Sequence, residues 1–188
     1  MAMAHREALG VLAAHRGSKV VLTTHGSVDD WLALSDTPLD LAYAPGAMGH
    51  APAFGLGLAL AQPGRGVVVV TGDGHLLMGL GCLATLAAHP ADVCLVVVDN
   101  GTYEVTGGQP TPGSGRVDFA GLARAAGVRR VYSCAAVEEW EAVAAEALSG
   151  PGPVVVWLRV QARPGGRAPR AVRPLAEQAE RLRQALGR

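Results

Sequence analysis

The segment between residues 67 and 100 decides how this chain folds. It reads VVVVTGDGHLLMGLGCLATLAAHPADVCLVVVDN. Residues 67–71 and 93–98 are continuous apolar runs, which are typical of parallel strands buried on both faces of a sheet. Between them, residues 76–88 have the length and apolar content of a helix. The segment therefore predicts a strand, a helix and a second strand parallel to the first.

The flanking sequence continues this alternation. We expect further strands at 19–24, 39–43, 130–133 and 154–160, and further helices at 2–15, 48–61, 118–126 and 137–148. A short helix to residue 33 should begin at Ser27, whose hydroxyl can cap it. Residues 101–115, dense in Gly, Pro and Thr, are expected to form a loop. Strands that alternate with helices indicate an α/β fold, an open and mostly parallel sheet with helices on both faces.

Composition and charge exclude several classes of protein. Hydrophobic residues make up 49% of the 188 residues and charged residues 17%, which fits a globular domain rather than a disordered chain. The formal net charge is zero, so bulk electrostatics favour neither nucleic acid nor an anionic membrane. No run reaches the roughly 20 apolar residues that span a bilayer, and no apolar signal segment is present. We therefore expect a cytoplasmic protein with no nucleic-acid and no membrane partner.

The three cysteines are few and widely spaced. Cys82, Cys94 and Cys134 form no CxxC pair. An odd, sparse set of this kind indicates buried thiols in a reducing compartment, and neither a disulfide framework nor an iron–sulfur site.

The C-terminal region differs in composition from the rest. We expect residues 1–160 to form the folded domain and residues 161–188 an Arg-, Pro- and Gly-rich tail. Its arginines are Arg163, Arg167, Arg170 and Arg173, and they alternate with Gly, Pro and Ala. This composition favours a mobile, solvated linker over a docking arm or an anion contact. Residues 174–186 could form a terminal helix.

Polar residues follow both apolar runs of the central segment. Gly72-Asp73-Gly74 ends the first run, and Asn100 follows the second after 25 intervening residues. In a parallel sheet these strand ends meet at one edge, where ligands bind. The glycines allow close approach of the backbone, and a helix beginning after Gly74 would direct N–H groups at phosphate oxygens. Since carboxylate and amide oxygens suit Mg²⁺, the residues predict a metal–diphosphate site.

This pattern resembles the thiamine-diphosphate-binding signature, in which GDG is followed at this spacing by Asn. The resemblance implies thiamine diphosphate and Mg²⁺ as cofactors. It also implies that the metal ligands are the side chains of Asp73 and Asn100 and the backbone carbonyl of Thr102. Tyr103 and the residues that flank Asp73 would contact the cofactor: Gly72, Gly74 and His75.

Two upstream segments resemble further parts of the same signature. In Gly46-Ala47-Met48-Gly49, the carbonyl of the first glycine would accept a hydrogen bond from the cofactor's 4′-amino group. Met48 would wedge the cofactor into a V shape, although Met48 alone is equally ordinary as a core residue. The loop His25-Gly26-Ser27 corresponds to a segment that often contacts the diphosphate, with Gly26 and Ser27 as the candidate residues.

The resemblance narrows to one group of enzymes. GDGHLLMGLGCLATL and DNGTYEVTGGQPT are similar to the cofactor-binding subunit of sulfopyruvate decarboxylase and the matching half of phosphonopyruvate decarboxylase. The chain departs from them at His75, where a small residue is common, and at Gly79 and Cys82, where Asn and Ser are more frequent. His75 would either hydrogen-bond a phosphate oxygen or simply tolerate the helix N-terminus.

The resemblance implies decarboxylation of a 2-oxo acid and a missing half of the enzyme. In this superfamily a glutamate on a separate pyrimidine-binding domain activates the cofactor, and one chain of this length cannot hold both domains. We therefore expect a beta-type subunit that pairs with an alpha-type pyrimidine-domain subunit, in a hetero-oligomer with at least two copies of each. The resemblance places Glu104 on the diphosphate side. Thr106 and Gln109 are candidates to contact the small 2-oxo acid substrate, with His50 nearby.

Several alternatives stay open at this stage. Another thiamine-diphosphate enzyme is one, either an acetolactate-synthase-like carboligase or a 2-oxo acid oxidoreductase, although the latter usually carries cluster cysteines. A catalytically silent partner that retains the cofactor site is another, which the departure at His75 keeps open. A dinucleotide-binding module is disfavoured, because Gly79-x-Gly81-x-x-Ala84 falls inside a predicted helix and not after a strand.

Overall fold

The computed structural model describes residues 3–43, 48–163 and 172–187. Its strands are β1 (Val20–Thr24), β2 (Asp40–Tyr43), β3 (Val67–Gly72), β4 (Val93–Asp99), β5 (Thr102–Tyr103), β6 (Gln109–Pro110), β7 (Arg130–Cys134) and β8 (Val154–Arg159). Its helices are α1 (His5–His15), α2 (Val28–Leu32), α3 (Ala51–Ala61), α4 (Asp73–Leu77), α5 (Cys82–Ala88), α6 (Phe119–Ala125), α7 (Val137–Leu148) and α8 (Leu175–Ala185). Short 3₁₀ turns occur at His25–Ser27 and Glu104–Thr106.

Six strands form one parallel sheet in the order β2-β1-β3-β4-β8-β7, which confirms the predicted α/β fold. From β1 the chain first adds β2 on one side and then β3 on the other. The strand order therefore reverses between β1 and β3, and a sheet of this kind opens a ligand crevice at such a point. The remaining strands, β5 and β6, form a small antiparallel hairpin in the segment expected to be a loop.

Helices cover both faces of the sheet, which explains the continuous apolar runs. Alternate residues of each central strand enter one of two cores: Val67, Val69, Leu95 and Val97 face one side, whereas Val68, Val70, Val96 and Val98 face the other. The first core includes residues of α3, α5, α6 and α8, and the second those of α1 and α7. Because both faces are buried, no polar alternation survives in β3 or β4.

The helix expected at 76–88 is wrong in extent, since the structure has two helices, α4 and α5. The break lies at Gly79, where an added Cβ would lie 2.4 Å from the carbonyl oxygen of Gly49. The close approach of the backbones of Gly49 and Gly79 coincides with the interruption between α4 and α5, in the middle of the expected helix. α4 also starts at Asp73 itself, and not after Gly74. Similarly, α3 begins only at Ala51, after a turn at Gly49 with φ of +89°.

Ser27 was expected to cap α2, and this is wrong. Its side chain makes no capping hydrogen bond, and its Oγ lies 3.1 Å from Nε2 of His5 instead. The contact joins the first helix of the chain to the loop after β1. A distant partner has therefore taken the hydroxyl that the local sequence would have used.

The C-terminal helix is present, and it is not a free extension. α8 packs against edge strand β2, with Leu182 in the core. The buried side chain of Gln178 accepts a hydrogen bond from the Ala42 amide at 2.8 Å and donates to the Ala42 carbonyl at 3.4 Å. The expectation of a solvated tail is therefore wrong for this part, whereas Arg167 and Arg170 lie outside the described residues. No helix in the described ranges is both long and apolar enough to cross a membrane.

Candidate functional site

A cleft opens at the carboxyl ends of β1, β3 and β4, where the strand order reverses. The loops after these three strands supply most of its wall, and α1 and the segment after β8 close one side. The residues that line it are His5, Thr24, His25, Gly26, Ser27, Met48, Gly72, Asp73, Gly74, His75, Val98, Asn100, Thr102, Tyr103, Glu104, Val105, Thr106 and Arg163.

Asp73 lies at the floor of this cleft and is only 2% exposed. Its Oδ2 accepts a hydrogen bond from the Thr111 hydroxyl at 2.7 Å. Burial raises the pKa of Asp73 to about 6, and the nearby charge of Asp99 acts in the same direction, against the bond from Thr111. A buried carboxylate held by a hydroxyl and not by a cation is well suited to receive a metal ion.

The two glycines beside Asp73 have different surroundings. A Cβ on Gly74 would lie 2.3 Å from Cε1 of Tyr103, so the tyrosine ring occupies that space. A Cβ on Gly72 would meet nothing nearer than the Val98 carbonyl oxygen at 4.0 Å. Gly74 therefore serves packing within the chain, whereas Gly72 leaves its face open to a ligand.

The loop after β4 folds back on itself at Asn100. The Asn100 Oδ1 accepts a hydrogen bond from the Thr102 amide at 3.0 Å, and the Asp99 carboxylate accepts from the Gly101 amide and the Trp157 indole. Gly101 has a φ of +67°, which a glycine adopts without strain. The turn brings Asn100 and Thr102 to the same cleft as Asp73, and the buried Thr102 hydroxyl has no hydrogen-bond partner among the described residues.

Two histidines line the same part of the cleft. The ring centroids of His25 and His75 are 5.5 Å apart. Burial lowers the pKa of His75 to about 4, helped by the charges of His25 and His50, and burial also lowers the pKa of His25. The His75 ring is therefore neutral at physiological pH.

Charged residues at the rim of the cleft are paired with one another. Arg163 donates through its backbone amide and its guanidinium to both carboxylate oxygens of Glu104, at 2.6–2.9 Å. The same guanidinium contacts Asp30 at 2.5 Å and the Gly26 carbonyl at 3.0 Å. His5 Nδ1 lies 2.6 Å from the same oxygen of Asp30, Oδ2, that Arg163 contacts. The network joins the loop after β1, the loop after β4 and the segment after β8.

Burial raises the pKa of the Glu104 carboxyl, but the hydrogen bonds and charge of Arg163 outweigh it and hold that pKa below its usual range. Burial likewise opposes the charged form of Arg163, yet Glu104 and Asp30 raise its pKa. Glu104 is only 4% exposed, so the pair is a largely buried ion pair whose members depend on each other.

Most residues expected from the sequence meet in the cleft. Those that line it are Gly26, Ser27, Met48, Gly72, Asp73, Gly74, His75, Asn100, Thr102, Tyr103 and Thr106. Gln109 does not line the cleft; its side chain is exposed, and its amide donates to the Thr106 carbonyl at 3.0 Å. His50 is also exposed and does not line the cleft. Gly46 and Ala47 lie outside the described residues.

Sequence reasoning missed His5 and Arg163, and it named the loop of His25 without giving that side chain a role. His5 and Arg163 are remote in the chain from every motif, and no local pattern marks them. Arg163 was assigned to a solvated linker because Gly and Pro surround it. In the described residues no cluster of three or more His, Cys, Asp or Glu side chains could hold a metal; the predicted ligand set has one carboxylate, one amide and one carbonyl.

Comparison with known proteins identifies the domain. The thiamine pyrophosphate enzyme, C-terminal TPP binding domain, matches residues 31–158. The chain belongs to the thiamine pyrophosphate enzyme family. The family predicted from the motifs is thereby confirmed, and Gly72, Asp73 and Asn100 all lie within the matched part.

Individual relatives of this thiamine pyrophosphate enzyme domain carry related names. Phosphonopyruvate decarboxylase of Streptomyces viridochromogenes is 44% identical over 151 residues, which cover 80% of this chain and 37% of that protein. Sulfopyruvate decarboxylase subunit beta of Methanothermobacter thermautotrophicus is 51% identical over 70 residues, 37% of each chain. The matched regions are thus well under half of these relatives.

A solved structure shows the same fold. The Rhodococcus jostii RHA1 thiamine diphosphate-dependent 4-hydroxybenzoylformate decarboxylase superposes with a TM-score of 0.73 and 24% identity, over 85% of this chain and 33% of that one. At this identity the likeness concerns the fold alone.

Proposed function

We propose that this chain is the diphosphate- and Mg²⁺-binding, beta-type subunit of a split thiamine-diphosphate-dependent 2-oxo acid decarboxylase. Sulfopyruvate, phosphonopyruvate or a similar 3-substituted pyruvate would be its substrate. One observation carries the proposal: Asp73 and Asn100 line one cleft at the ends of adjacent strands, and the buried Asp73 carboxylate has a hydroxyl and not a cation as its partner. The named relatives above support the substrate class.

The residues of the cleft fit a magnesium diphosphate. Asp73, the Asn100 side chain and the Thr102 carbonyl would hold the metal, and the open face of Gly72 would accommodate the phosphate oxygens. Buried polar atoms without partners among the described residues, such as the Thr102 hydroxyl, are the groups that a polar ligand would satisfy. Met48 lies at the cleft, where it would support the bent cofactor. When bound, thiamine diphosphate supplies a carbanion and an electron sink for loss of carbon dioxide.

The activating glutamate would come from a partner subunit. Glu104 is a carboxylate at the cleft, but three hydrogen bonds from Arg163 engage it in an ion pair that lowers its pKa and disfavours its protonated form. A relative named as a beta subunit, and a match that spans only 37% of the first relative, both support a second polypeptide or domain. We propose an alpha-type pyrimidine-domain partner, at least two copies of each, and assembly in the cytoplasm, with residues 1–160 as the catalytic unit and 161–188 as its C-terminal segment.

Reconstitution tests the proposal. The chain is mixed with a pyrimidine-domain subunit, thiamine diphosphate and Mg²⁺, and carbon dioxide release is followed with sulfopyruvate, phosphonopyruvate and pyruvate. We expect turnover only from the mixture, and Asp73→Ala should lower it by roughly 100-fold or more, because the variant lacks a metal ligand. Asp36→Ala, which removes an exposed carboxylate far from the cleft, is the matched control. Robust turnover by the isolated chain would refute the split enzyme.

A catalytically silent partner is the second candidate, and the observation that favours it is the bulky His75 beside the motif. The same experiment separates the two. A silent partner would retain nearly full activity in the complex after Asp73→Ala.

A further inference from the structure

Two imidazole nitrogens at the floor of the cleft have no assigned role. The Nε2 atoms of His25 and His75 are both buried, and neither has a hydrogen-bond partner among the described residues. His75 as a whole is only 3% exposed. A buried polar atom without a partner costs free energy, so such atoms in a cleft mark the place where a ligand would supply the missing bond.

The hydrogen bonds on the other side of the His75 ring fix its tautomer. The backbone N–H of Gly49 points at Nδ1 from 3.2 Å, and the Thr71 hydroxyl lies 3.0 Å from the same atom. A backbone N–H can only donate, so Nδ1 must accept and carries no proton. The proton of the neutral ring therefore sits on Nε2, which is a hydrogen-bond donor without an acceptor.

His25 is held beside His75 by an unusual backbone conformation. It follows β1 with a φ of +38°, the only positive φ of a non-glycine residue in the described ranges. Residues other than glycine adopt this region at a cost, and such conformations are concentrated at functional sites. The ring centroids are 5.5 Å apart, so both rings lie within reach of one small ligand group.

We propose that His25 and His75 form a donor pair for one phosphate-type oxyanion, through hydrogen bonds from their Nε2 atoms. The inference rests on the proposed function and deepens it, since two buried imidazole nitrogens without partners among the described residues stand where a diphosphate or a phosphonate would need polar contacts. The oxyanion has two possible sources, the cofactor's diphosphate or the 3-phosphono group of a substrate.

The test uses the full chain with ¹⁵N-labelled histidine at constant pH. Magnesium pyrophosphate stands for the cofactor, methylphosphonate for the substrate group, and acetate is the planar control anion. Nε2 signals are assigned with His25→Gln and His75→Gln, and the exposed His89 is the internal control. We expect the Nε2 signals of His25 and His75 to shift with one or both phosphorus oxyanions, whichever ligand is the source, while His89 and the acetate titration stay unchanged.

Two variants of His75 separate ligand binding from a structural role. His75→Asn keeps an acceptor near Nδ1 for the Gly49 amide but has no donor at the Nε2 position, whereas His75→Gln places an amide N–H near that position. If the pair binds the oxyanion, His75→Asn weakens binding roughly tenfold and His75→Gln retains most of it. The opposite ranking would show that His75 only supports the Gly49 turn, and would overturn the inference.

The signals of the backbone amides of residues 72–74 and Asn100 distinguish failure of the donor pair from failure of the proposed cofactor site. If magnesium pyrophosphate shifts these amides but neither histidine, the donor pair is wrong and the proposed cofactor site stands. If nothing in the cleft responds to any of the phosphorus anions, both are overturned. Circular dichroism of each variant checks that it is folded.

Discussion

The floor and the rim of the cleft handle their polar groups in opposite ways. At the floor, around Asp73 and His75, burial shifts pKa values toward the neutral forms and several polar atoms lack partners in the described residues. At the rim, Arg163 and Glu104 keep full charges because each satisfies the other. The difference separates two uses of polar residues in one site. Those at the floor are available to a ligand, and those at the rim hold the loops.

Removal of Arg163 should have the largest effect on the fold. Arg163→Met leaves Glu104 and Asp30 without their shared cation, and an unpaired buried charge costs about 3 kcal/mol of unfolding free energy. Urea denaturation of the full chain measures it. Glu104→Gln added to Arg163→Met should recover part of the loss, because it removes the charge left behind. Equal stability of the single and double variants would contradict a charge-based rim.

Asp73 should oppose folding when no metal is bound. Its folded pKa of about 6 lies above the usual 3.8, so the native state prefers the protonated acid. Stability from this group is complete below about pH 4 and is lost as the pH rises through 6, by up to about 3 kcal/mol. Asp73→Asn should therefore exceed the wild type in melting temperature above pH 6 in the presence of EDTA. The gap should close toward pH 4, and a gap that is constant with pH would show that ionisation is not its cause.

Substitution of one glycine at the floor should disturb the packing there, and substitution of a second glycine elsewhere serves as the control. Gly74→Ala places a methyl group within 2.3 Å of the Tyr103 ring and should cost about 2 kcal/mol, because the ring must move. Gly81→Ala is the control, since nothing lies within 4 Å of its added Cβ and its φ is −57°. Thermal unfolding compares the two. Similar melting temperatures would mean that the loop carrying Tyr103 is free to shift.

The smallest effect on stability is expected for an exposed ion pair of the same chemical type as that between Arg163 and Glu104. Arg173 contacts Asp36 at 2.6 Å, with both side chains about 40% exposed. Arg173→Met should shift the urea midpoint far less than Arg163→Met does, because solvent screens such pairs. A loss as large as that of Arg163→Met would show that burial is not what distinguishes the rim.

The sequence was sufficient for whatever depends on neighbours along the chain. The apolar runs of β3 and β4 predicted buried parallel strands, and the spacing from Asp73 to Asn100 predicted that both would reach one edge of the sheet. It was insufficient where remote residues decide. Gly49 breaks the expected helix at Gly79, and His5 takes the hydroxyl of Ser27. No window around Arg163 could show that it closes a cleft built more than 50 residues earlier.

Gln178 limits how the sheet can grow. Strand β2 is an edge, and an uncovered edge is a template for pairing with another chain. The carboxamide of Gln178 copies the donor and acceptor of a neighbouring strand at Ala42, so α8 takes part of the place that a second molecule would use. Pairing of another strand at this edge of the sheet is thereby hindered. A chain shortened before α8 would lose this protection and should aggregate through β2 more readily.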